Sequence, residues 1–99
     1  MTTELFDGND DLYQNWLAAH TDGFVINTSR REARRGTYMV LHRARCKNIN
    51  ESPWPHGGFT ERSYIKVCAL TVDELRAWAR TNGRVDGSFS SERCFCKSI

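Results

Sequence analysis

The sequence predicts a single α+β domain, a small, mostly antiparallel sheet packed against two helices. Three observations carry this expectation. The chain has 99 residues, enough for one domain spanning residues 1–99, and shows no internal repeat or low-complexity segment. Two segments place apolar residues at helical spacing behind good capping residues. Three shorter segments alternate their faces and are rich in aromatic and β-branched residues.

The elements follow in chain order. Asn9 and Asp10 are suited to cap a helix over residues 10–20, with Leu12, Tyr13, Trp16 and Leu17 as its apolar stripe. Asp10 and Asp11 favour its positive end, and Gly23 suits a left-handed stop. Residues 24–28 read as a short strand and residues 37–45 as a second, with Tyr38, Val40, His42 and Ala44 on one face. These two form a hairpin with an arginine-rich tip. Residues 47–60 form a long loop that holds both prolines, Pro53 and Pro55, around Trp54. Residues 62–69 read as a third strand, in which Ile65 and Val67 oppose Tyr64, Lys66 and Cys68. Thr71 and Glu74 make a capping box for a helix over residues 71–82, with Leu75, Trp78 and Ala79 buried and Gly83 as its stop. One core is expected, gathering Trp16, Leu41, Ile65, Val67, Leu75 and Trp78. The tail ends in Cys94, Phe95 and Cys96, on a last short strand.

Composition narrows the function classes. Aromatics are 11% of the chain, including three Trp, which argues against disorder. No basic, apolar leader opens the chain, and no apolar run approaches the ~20 residues that span a bilayer, so a cytoplasmic protein without a membrane partner is expected. The formal net charge is only +2, but its distribution is uneven. Residues 1–22 hold five acids and no Lys or Arg, so the remainder carries all fourteen bases against seven acids. Eleven of those bases are Arg, whose planar fork suits phosphate and carboxylate.

The basic groups cluster. Arg30, Arg31, Arg34 and Arg35 fall within six residues at the hairpin tip, and Arg43 and Arg45 follow on the next strand. A basic two-stranded ribbon fits a nucleic-acid groove. Trp54 and His56, in a loop stiffened by proline, would stack on or enter it, with Tyr64 and Lys66 flooring the site and Arg62 a further nucleic-acid contact. The competing reading is a solvated hairpin tip, or one that meets an acidic protein.

Four cysteines remain: Cys46, Cys68, Cys94 and Cys96. None stands in the paired C-x-x-C spacing of a zinc ribbon. Even so, the ends of the second and third strands and the chain terminus would bring them together around a structural zinc, with His42 as an alternative ligand. Buried unligated thiols, or a disulfide or redox role, are the other readings. No catalytic constellation is recognisable: no H-E-x-x-H, no Walker loop, no G-x-S-x-G and no carboxylate pair by spacing. A non-enzymatic binding module is expected.

Four motifs in order carry a resemblance: residues 23–27 (GFVIN), 38–46 (YMVLHRARC), 64–68 (YIKVC) and 75–79 (LRAWA), followed by the terminal cysteines. From about Leu12 to Cys96 the chain resembles small bacterial domains that stand alone or form the amino-terminal modules of McrA-like, modification-dependent HNH restriction endonucleases. The resemblance implies a module that reads modified DNA, such as methylated cytosine, while a separate HNH domain or partner protein cuts. This chain has no HNH constellation, so only the reading half carries over. The alternative, from a different class, is a zinc- or thiol-stabilised protein-interaction or regulatory module.

Overall fold

The computed structural model describes residues 3–51 and 58–90, in the order β1 (Glu4–Phe6), α1 (Asp10–Ala19), β2 (Phe24–Ser29), α2 (Glu32–Arg35), β3 (Met39–Arg43), α3 (Lys47–Asn50), β4 (Tyr64–Ala69) and α4 (Val72–Thr81). The fold is α+β: a four-stranded antiparallel sheet, order β1-β4-β2-β3, with two ten-residue helices and two single-turn ones.

β2 and β3 form the expected hairpin, in the register Phe24↔Arg43 to Thr28↔Met39. β4 returns between β2 and β1, pairing Phe24↔Ala69 to Ser29↔Tyr64 on one side and Glu4↔Cys68 to Phe6↔Lys66 on the other. Its central place explains its burial: every residue from Ile65 to Ala69 is buried, on both faces.

The single core of the sequence reading is in fact two, because the helices lie on opposite faces. On one face α1 lays Tyr13, Trp16 and Leu17 against Phe6, Val25 and Cys68. On the other, α4 lays Leu75 and Ala79 against Ile26, Leu41 and Val67, with Trp78 partly buried at the margin. Odd and even strand residues thus serve different cores.

Local signals account for both helices. Asn9 accepts from the Leu12 N–H at 3.1 Å. Leu12 itself is 54% exposed, so the buried stripe of α1 begins at Tyr13. Thr71 Oγ1 accepts from the Glu74 N–H at 3.2 Å and donates to the Glu74 carboxylate at 2.8 Å. Gly83, at φ +123°, ends α4, and the Arg84 N–H returns to the Ala79 carbonyl. Gly23 is not a left-handed stop. It is small because the Trp16 indole lies where a Cβ would sit, 2.5 Å away.

Candidate nucleic-acid interface

The tip of the β2–β3 hairpin is not an open turn but the single-turn helix α2, which aims its arginines in different directions. Arg30 and Arg35 are used by the fold. Arg30 pairs with Asp7 at 3.0 Å and donates to the Thr60 carbonyl. Arg35 donates to the carbonyls of Ser29 and Arg30, each at 3.1 Å. The guanidinium groups of Arg31 and Arg34 are exposed and meet no hydrogen-bond or ion-pair partner among the described residues. Both line a recess of about 540 Å³ beside Tyr38, Ser63 and Tyr64.

The register builds the aromatic wall of that recess. Ser29 pairs with Tyr64 and, one step beyond the Thr28↔Met39 pair, faces Tyr38. Side chains two strands apart are ordinarily separated by about 10 Å. Here the small Ser29 leaves room for the rings to lean together, with centroids 5.2 Å apart. Tyr64 keeps 43% of its surface open. Asn27 Nδ2 lies 3.5 Å from the Tyr38 hydroxyl, and Thr28 Oγ1 donates to the Tyr38 carbonyl at 2.6 Å.

Lys66, expected to floor the site, is only 5% exposed. It points toward α1, where Nζ donates to Asn27 Oδ1 at 2.9 Å and to the Phe59 carbonyl at 2.6 Å. Burial pulls its ammonium down to about 8, although Asp10 and the Cys68 sulfur oppose this. Asp10 lies in the same buried network and accepts from Thr60 N–H and Thr60 Oγ1, each at 2.7 Å, and from Phe59 N–H at 3.2 Å. Burial pushes its carboxyl up, but the Thr60 and Phe59 hydrogen bonds, helped by Lys66, outweigh it and hold it below the usual range. The network Asp10, Phe59–Thr60, Lys66, Asn27 therefore buttresses the recess from behind, ending at Tyr38.

The remaining sequence candidates do not join the recess. Arg43 pairs with Phe24 at the far end of the hairpin. Arg45 lies beyond it, bonded to the Thr21 carbonyl and the Asp22 carboxylate. Arg62 is exposed just before β4. Trp54 and His56 fall outside the described residues, as do Cys94 and Cys96.

Cys46 and Cys68 share the core under α1, Cys46 engaged in a disulfide and Cys68 a free thiol. Burial pushes the Cys68 thiol far up, with Glu4 adding to it, which makes it a poor nucleophile. His42 is buried beside Val25 in the register, and its Nδ1 meets no partner among the described residues. Burial, then Lys66, pulls its imidazole down to about 4. Among the described residues no three His, Cys, Asp or Glu side chains are placed to share a metal ion.

Sequence reasoning passed over Tyr38, Ser29 and Ser63. The signal for Tyr38 was present, since it sits one strand-step before Val40 and His42 on the face that also carries Tyr64. No helix among the described residues is long and apolar enough to cross a membrane. No protein-family model, curated protein or solved structure matches the chain.

Proposed function

We propose that this protein is a DNA-binding module with no nuclease activity of its own. The observation that carries the proposal is the recess at the hairpin tip, lined by the exposed Arg31 and Arg34, whose guanidinium groups meet no hydrogen-bond or ion-pair partner among the described residues, together with the exposed Tyr64 ring. Two guanidinium groups that line one recess favour an anion there, and Arg is the side chain best shaped for phosphate. Phosphate contacts set register without reading sequence. Any selectivity, including the reading of methylated cytosine that the sequence resemblance implies, falls to the aromatic wall. Cleavage would belong to a separate nuclease domain or partner.

The test is binding to methylated and unmodified duplexes at two salt concentrations. Each neutralised phosphate releases counterions, so Arg31→Ala and Arg34→Ala should each flatten the salt slope by about one unit. An unchanged slope, together with tight binding of an acidic protein, would instead favour the interaction-module reading.

A further inference from the structure

The lining of the recess carries the argument past phosphate contact. A surface that only neutralises a backbone needs a convex or flat basic strip. Here the arginines border a half-open recess of about 540 Å³, within the roughly 300–1,000 Å³ size range of small-molecule sites. Its lining includes two aromatic rings, and Tyr64, leaning on Tyr38, keeps 43% of its surface open. Ser63 Oγ lies on the margin with no hydrogen-bond partner among the described residues. In a duplex both faces of each base are covered by its neighbours, and only the edges reach a groove. A recessed tyrosine face therefore has nothing to stack on in an uninterrupted duplex. It suits a base that has left the stack or was never in one.

We infer that the recess takes an unpaired nucleotide, its base stacked on the exposed ring of Tyr64 and its phosphate held by Arg31 and Arg34. The inference rests on the DNA-binding reading and narrows it. The shared chemistry is one base with one phosphate, and two sources supply it: a single strand or a free mononucleotide. The Ser63 hydroxyl is the group placed to meet the edge of the base.

The experiment measures fluorescence anisotropy of the whole protein with a labelled oligodeoxynucleotide, single-stranded or annealed to its complement, and with deoxycytidine monophosphate as competitor. The single strand should bind at least tenfold more tightly than the duplex at the same salt. Tyr64→Leu should weaken single-strand binding by about tenfold or more and leave duplex binding unchanged, while Tyr64→Phe should keep the preference because it keeps the ring. Circular dichroism on both variants separates lost stacking from lost folding. Competition by the mononucleotide as strong as by the strand makes free nucleotide the source, and weak competition makes it the strand. Equal binding of strand and duplex, with Tyr64→Leu silent, overturns the inference while leaving an Arg31- and Arg34-dependent DNA module standing. No binding of either form at low salt overturns both.

Discussion

Lys66 Nζ and the carbonyl oxygen of Phe59 lie 2.6 Å apart, and this bond fastens the loop ahead of β4 to the middle of the sheet. Because burial favours the neutral amine, folding costs most where Lys66 is charged in both states. That cost is full below about pH 8. It is relieved as pH rises from about 8 toward the ordinary 10.5, a window in which the unfolded chain binds the extra proton. Against Lys66→Met, the wild type should gain stability on the order of 3 kcal/mol between pH 7.5 and 10.5. Urea denaturation of both proteins across that range checks it, and parallel profiles would refute it.

His42 gives a dependence of the same sign on the acid side. Its folded imidazole titrates at about 4 against the ordinary 6.5, so the unfolded chain takes up the proton first as pH falls. Stability should fall from pH 6.5 down to about 4, on the order of 3 kcal/mol in all, and level off below. His42→Gln, which does not titrate, should lack this loss. Thermal melts at pH 7 and pH 4 suffice, and the same acid sensitivity in both proteins would discard the assignment.

The four arginines of the hairpin tip should divide into two pairs. Arg30→Ala and Arg35→Ala remove hydrogen bonds from charged donors to buried or half-buried carbonyls and should each cost about 1.5–3 kcal/mol of stability. Arg31→Ala and Arg34→Ala should change stability by less than about 0.5 kcal/mol, as exposed side chains without partners do. Melting temperatures of the four single variants decide the matter. If all four behave alike, the division is wrong.

How much of this was legible in the sequence depends on how local the cause is. Both long helices were readable because Asn9, Thr71 and Glu74 act within four residues of themselves. The β2–β3 hairpin was readable from two apolar runs around a polar tip. β1 was not, since Glu4, Leu5 and Phe6 become a strand only by pairing with β4, some sixty residues away. α2 and α3 are single turns, too short to show a period. Alternation along β4 suggested one wet face, but α1 and α4 cover both, and Lys66 is buried among partners that spacing cannot supply. The density of arginine was plain in the sequence. Which of them the carbonyls of Ser29, Arg30 and Thr60 would capture was not.

Asp10 should prove the most costly single polar residue to alter among those described. Its two carboxylate oxygens accept three hydrogen bonds from Phe59 and Thr60, and an amide retains only one accepting oxygen. Asp10→Asn should cost on the order of 2–3 kcal/mol at pH 7. Because the folded carboxyl titrates below its ordinary value, that advantage should fade as pH drops beneath about 4. A chemical denaturation series of the variant at pH 7 and pH 3 tests both statements, and a difference that persists undiminished at pH 3 would contradict the second.

Gly36, at the close of α2, meets Gly83, at the close of α4, backbone to backbone: a Cβ on Gly36 would sit 2.8 Å from the Gly83 carbonyl oxygen. Arg84 Nη1 donates to the Gly36 carbonyl across the same seam. The turn that presents Arg31 and Arg34 is therefore moored at both ends, to β2 through Arg35 and to α4 through the glycine pair. Its conformational entropy is surrendered when the chain folds, not when a ligand arrives. A moored turn of this kind meets its ligand with little rearrangement, so association should show a fast on-rate and a small loss of motion.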